Sequence, residues 1–205
     1  MVETLASLNG ISESGRAAFK ARLRKLQGAG VPGEANPGKG RRVEYSVPLL
    51  IEVTIAVELL QCGWSPHEAA SLIKAHRSHL LLASLASLVD PQPDLLVPLL
   101  LIRPQALREF SQNAEEAGGP IGAVEFLSRE GVAALFNVPV SASPAQWKLW
   151  RASVIDLPVV VRALIMSISL QGYRFDDVVA AFRAEASLRD RDLWLFSDEV
   201  VDGTP

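Results

Sequence analysis

Few side chains in this sequence could do covalent or acid–base chemistry, and they are poorly grouped for it. There are three histidines and one cysteine. His76 and His79 stand three residues apart and could share a helix face, as metal ligands do. No carboxylate or thiol near them in the sequence completes a coordination set. Cys62 falls next to an expected helix end and reads as a small buried hydrophobe rather than a reactive thiol. No GxSxG elbow is present to expose a nucleophilic serine. The C-terminal half holds no histidine and no cysteine, so general acid–base catalysis there would fall to Asp156, Asp176 or Asp177. Asp176 and Asp177 read more simply as cap and first-turn residues of a helix. Asp156, in the apolar stretch 154–161, reads as a buried, hydrogen-bonded structural carboxylate. The expectation is no enzyme, no metal and no cofactor.

Two glycine-rich strings imitate nucleotide sites. Residues 28–33 match GxGxxG, but the match follows a helix instead of a strand, and Pro32 interrupts it. Residues 33–40 approach a P-loop but lack the final Ser or Thr that would hold magnesium. Both are better explained as hairpin turns, where glycine supplies positive φ.

The cations are more informative. The net charge is −3, but it is unevenly spread. Residues 1–77 carry ten Lys and Arg against seven Glu, a net of +3, and no Asp. Residues 78–205 carry ten against sixteen acidic residues, a net of −6. Between Glu13 and Arg42 there are eight basic residues and two acidic, a net of +6. A basic cluster in an otherwise acidic protein is the electrostatic footprint of a polyanion site, with a solvated charged face as the competing explanation.

These residues must be held by elements, and the apolar spacing gives an outline. A short helix is expected over 2–8, then a turn at Asn9-Gly10. The next helix runs over 14–27, with Ser12 or Ser14 as its cap. Phe19, Leu23 and Leu26 form its inner stripe. Ala17 and Ala21 lie opposite, with Lys20 and Arg24 on one side of them and Lys25 on the other. Arg16 and Arg22 lie nearer the inner stripe. Residues 33–45 read as a basic hairpin returning through Tyr45. Ser46 caps a helix over 47–62 with Pro48 in its first turn, and Gly63 ends it. Ser65 caps a helix from Pro66 to about His76. Beyond it lie an apolar helix over 79–89, a break at 90–93, and a buried strand over 95–102. An amphipathic helix follows over 105–117, then a strand over 123–127, a helix over 129–136 and a loop over 139–144. Residues 146–155 fit strand or helix equally. A buried helix is expected over 157–170 and a last helix from Asp176 or Asp177 to about Ser187, before an acidic tail. Trp147, Trp150, Trp194 and Phe196 read as core.

Taken in order, Gly40-Arg41-Arg42-Val43-Glu44-Tyr45, then 49–60, then Gly63-Trp64-Ser65-Pro66-His67-Glu68-Ala69-Ala70-Ser71-Leu72-Ile73 resemble the second half of a MerR-type DNA-binding domain. Ile11-Ser12 to Leu26 and Gly30-Val31-Pro32 resemble its helix-turn-helix and the start of its wing. The resemblance covers about residues 3–77. It does not extend to a long coiled-coil dimerisation helix or a metal-binding cysteine loop.

The resemblance implies a winged helix-turn-helix. The fold class expected is α+β and mostly helical: a DNA-binding domain over 1–77, helix and linker over 78–93, and a small α+β domain over 94–205. The last would dimerise, bind a partner protein or take a small effector. The partner is double-stranded DNA, read by a homodimer. Lys20, Arg24 and Lys25 would enter the major groove, and Arg16 and Arg22 would contact the backbone. Lys39, Arg41, Arg42 and Tyr45 would belong to the wing. The chain reads as a transcriptional regulator, with a multimeric phage-type packaging or replication accessory protein as the alternative. No basic-then-apolar leader opens the chain and no stretch suits a membrane span, so a cytoplasmic location is expected.

Overall fold

A computed structural model of the protein describes residues 1–33, 45–88, 99–102, 124–136 and 152–193. The described residues are mostly helical, with one small antiparallel sheet. The chain divides into two compact units, Met1–Leu95 with Leu157–Pro205, and Leu96–Asp156.

The first unit is built of helices. Short α1 (Val2–Leu8) leads through a 3-10 turn (Glu13–Gly15) into α2 (Arg16–Gly28). Phe19, Leu23 and Leu26 of α2 are buried, as their spacing requires. Neither Ser12 nor Ser14 caps α2; its N-cap is Gly15, with no side-chain hydrogen bond. α2 ends in a paired backbone lock. Gly30 N–H donates to the Gln27 carbonyl at 2.9 Å, and Val31 N–H to the Leu26 carbonyl at 3.0 Å. Gly30 adopts φ +88, which lets the chain turn back so that Val31 is buried like Leu26.

α3 (Val47–Gln61) is the central helix. Ile51, Val53, Ile55, Ala56, Val57 and Leu59 are all buried, so core surrounds most of its circumference. Ser46 occupies its N-cap with extended backbone but makes no side-chain cap bond. α4 (Pro66–Leu85) joins what the sequence divided into two helices. His76 takes φ −120, ψ 21 at the join, so α4 is kinked instead of broken. A full capping box starts α4: Glu68 N–H donates to Ser65 Oγ at 3.2 Å, and Ser65 N–H to Glu68 Oε2 at 2.9 Å. These bonds hold the Glu68 carboxyl below its ordinary value. A second 3-10 turn covers Ala86–Leu88.

Two C-terminal helices, α6 (Leu157–Ser169) and α7 (Phe175–Leu193), complete this unit. α6 packs on α1, α3 and α4, and α7 on α3, α4 and α6. Leu157, Val161, Leu164 and Ile165 of α6, and Val178, Phe182 and Ala186 of α7, are buried there. A buried Ser167 Oγ donates to the Thr4 carbonyl at 2.9 Å, tying α6 to α1. This departs from the division expected from sequence, which placed 94–205 in one domain. The apolar faces of α1, α3 and α4 are closed by helices more than seventy residues further along the chain, and hydrophobic periodicity does not say which faces meet.

The second unit contains a sheet of order β2-β1-β3, with both pairings antiparallel. Leu100 of β1 (Leu99–Ile102) faces Phe126 of β2 (Val124–Leu127) and Ile155 of β3 (Ser153–Asp156). All four residues of β1 are buried, matching its uninterrupted apolar run. α5 (Arg129–Phe136) packs on β1 and β2. Its start is fixed by Ser128 Oγ, which accepts from Gly131 N–H at 3.0 Å. Asp156 is partly exposed rather than buried, because it ends an outer strand and pairs with Arg129 at 2.6 Å. The expected linker at 90–93, the helix over 105–117, the loop over 139–144, Trp147, Trp150, Trp194, Phe196 and the acidic tail lie outside the described residues.

Candidate nucleic-acid interface

α2 carries five cations and no acidic residue. Burying Phe19, Leu23 and Leu26 turns the opposite side outward, and Ala17, Ala21, Arg24 and Lys25 are all exposed there. Lys20 and Arg22 are exposed at the margins of the buried stripe. Lys20, Arg22, Arg24 and Lys25 make no ion pair with the described residues. Ala17 and Ala21 leave this face with no side chain beyond Cβ at its middle, so a flat partner can approach the backbone.

Arg16 has a different role. Its guanidinium pairs with Glu3 of α1 and, at 3.1 Å, with Glu13 of the 3-10 turn. A cation in the first turn of a helix opposes the helix dipole. The two carboxylates compensate for that and join α1 to the start of α2. Arg16 is thus paired within the protein, by two carboxylates that are themselves exposed.

Gly33 and Tyr45, the described residues on either side of 34–44, are both tied to helices. Gly33 N–H donates to Glu52 Oε2 at 2.9 Å, while Glu52 Oε1 accepts from Arg77 Nε at 2.5 Å. Glu52 is a buried carboxylate within the apolar α3, so its charge is matched by a guanidinium from α4 and a backbone amide. Tyr45 Oη accepts from Gln27 Nε2 of α2 at 3.2 Å. Lys39, Arg41 and Arg42 lie between these anchors, outside the described residues. The two bonds fix Gly33 against α3 and Tyr45 against α2.

Sequence reasoning missed Glu52, Lys74 and Arg77. Lys74 and Arg77 lie one turn apart on α4, on the side facing the end of α2. A Cβ added to Gly30 would meet Lys74 Nζ at 2.9 Å, and one added to Gly33 would meet Arg77 Cζ at 3.3 Å. Lys74 is exposed, and its ammonium lies beside Gly30, just past the C-terminal end of α2. The available signal was Glu52 itself, one of only two charged residues in an apolar helix and the one its neighbours bury, so it had to find a partner.

The remaining sequence candidates stay scattered. Cys62 is exposed, not buried, because it lies at the C-cap of α3 where the chain emerges. His76 is half-buried; burial, and then the nearby His79, push its imidazole below the ordinary value. Among the described residues no three His, Cys, Asp or Glu side chains are grouped as metal ligands would be. Asp176 and Asp177 are exposed in the first turn of α7, where carboxylates favour the helix dipole. No helix among the described residues is long and apolar enough to cross a membrane. No protein-family model, curated protein or solved structure matches this chain.

Proposed function

We propose that this chain is a transcriptional regulator that binds double-stranded DNA, with α2 as its reading element. The observation that carries the reading is the outer face of α2: Lys20, Arg22, Arg24 and Lys25, all exposed, around the small side chains of Ala17 and Ala21. Such a face suits a major groove, where small residues allow close approach and cations reach phosphates and guanine edges. Lys20, Arg24 and Lys25 take the groove and Arg22 the flanking backbone. The segment from Gly33 to Tyr45, with Lys39, Arg41 and Arg42, acts as a wing on an adjacent phosphate strand or in the minor groove. Lys74 extends the basic surface from the end of α2 onto α4. Two such faces in a homodimer read two half-sites.

The test is DNA affinity measured over a range of salt concentrations for the wild type and for Lys20→Ala, Arg24→Ala and Lys25→Ala combined. Removing a cation that neutralises one phosphate flattens the slope of log affinity against log salt by about 0.9. The wild type is expected to bind with a steep slope, and the triple variant more weakly with a shallower one. Equal slopes would show that α2 does not face the DNA. All three residues are exposed, so the variant keeps its fold.

A further inference from the structure

α6 lacks the polar cover that a surface helix ordinarily carries. Its inner stripe is buried among α1, α3 and α4. Its outer side presents Met166, 54% exposed, and Leu170, 75% exposed just past its end, with Arg162 as the one charge in the helix. The turn into α7 adds Tyr173 and Phe175, 66% and 49% exposed. A helix apolar on both sides belongs inside a core or an interface. These four side chains expose roughly 450 Å² of mainly apolar surface, the size of the largest patch on a typical monomer, which is often functional. That is more than half of the ~800 Å² each partner contributes to a stable interface.

We infer that the outer face of α6, together with the α6–α7 turn, is a two-fold self-association surface that takes a second copy of this chain. Area is the first argument and charge the second. Within the patch Arg162 and Arg174 balance Asp176 and Asp177, so the surface can face itself without net repulsion. The charges are also suitably placed. Arg162 lies in the N-terminal half of α6, and Asp176 and Asp177 follow its C-terminal end. An antiparallel crossing of two α6 helices therefore brings each Arg162 toward the carboxylates of the other copy, with Met166 near the axis and Leu170 and Tyr173 beside it. A two-fold interface is built in this way from one self-complementary patch. Using this dimer to span two half-sites rests on the proposed DNA binding; the pairing itself does not.

The test is the mass of the full chain in solution by sedimentation, without DNA. The wild type should run at twice the single-chain 22.1 kDa. Met166→Glu, at an exposed position, should run at the single-chain mass with unchanged circular dichroism. Arg162→Asp should also raise the dissociation constant, by at least about tenfold, independently of any apolar packing change. Leu188→Glu serves as the control, since this exposed residue lies about 20 Å along α7 from the turn and should leave the dimer intact. A wild type that is monomeric at every concentration tested would overturn the inference, as would a Met166→Glu protein that stays dimeric. Either result would leave the salt-dependence test of α2 unaffected.

Discussion

At the scale of single residues, the side chains that organise the candidate interface are mostly not those that would touch a ligand. Glu52 holds Arg77 with one oxygen and the Gly33 amide with the other, so one buried carboxylate links α3, α4 and Gly33. Arg77→Ala removes the guanidinium and leaves that charge without its counter-ion. We expect a loss of about 2–3 kcal/mol in urea denaturation, at the low end for a broken buried pair because Arg77 itself opens to solvent. A loss under about half a kcal/mol would show that water can replace the guanidinium. Positions such as Lys20 and Arg24 were legible from the sequence because spacing alone decides which side of a helix is wet. The ion pairs of Arg16 were not legible for a related reason: spacing does not show that Glu3 and Glu13 come within reach of it.

At the scale of elements, helices are where the sequence was most explicit. α2, α3 and α5 follow their apolar periodicity and end signals to within a residue or two, and Gly30 and Gly63 fall just beyond the ends of α2 and α3 as expected. The serine caps were less legible, since only Ser65 bonds to its helix end in the first unit. A serine before a helix is compatible with capping but does not compel it. α4 was read as two helices because the polar run from Lys74 to His79 interrupts its apolar stripe. The run lies at the kink, and His76 within it makes α4 sensitive to pH. Burial lowers the His76 pKa below its ordinary 6.5, so the folded protein resists a proton that the unfolded chain accepts. Above 6.5 both forms are neutral and the group has no effect. As pH falls below 6.5 the unfolded state gains the proton first, and stability declines until the folded pKa is passed. Thermal melts from about pH 7.5 down to about pH 5 should show this decline, and His76→Gln should reduce it. An identical pH profile in the variant would assign the acid sensitivity to other groups.

At the scale of the whole molecule, the first 95 residues and the last 49 belong to one unit. Six large buried side chains of α6 and α7, Leu157, Val161, Leu164, Ile165, Val178 and Phe182, fill the core shared with α1, α3 and α4. At roughly 1.5–3 kcal/mol each, their removal costs about as much as the whole stability of a typical domain, about 5–15 kcal/mol. A fragment ending at residue 93 should therefore lack a cooperative thermal transition, whereas a self-contained module over 1–77 would keep one. This was the least legible part of the sequence. α6 announces that it is apolar, but only the closed fold shows that its inner side meets Thr4 and its neighbours while its outer side stays open. Whether α2 presents a DNA-reading face is decided by binding of the intact protein to the DNA upstream of its own gene, set against an unrelated duplex at several salt concentrations. Tight, salt-sensitive binding that favours the upstream DNA is expected. No binding to either duplex at low salt would contradict it and leave the basic face of α2 a solvated surface.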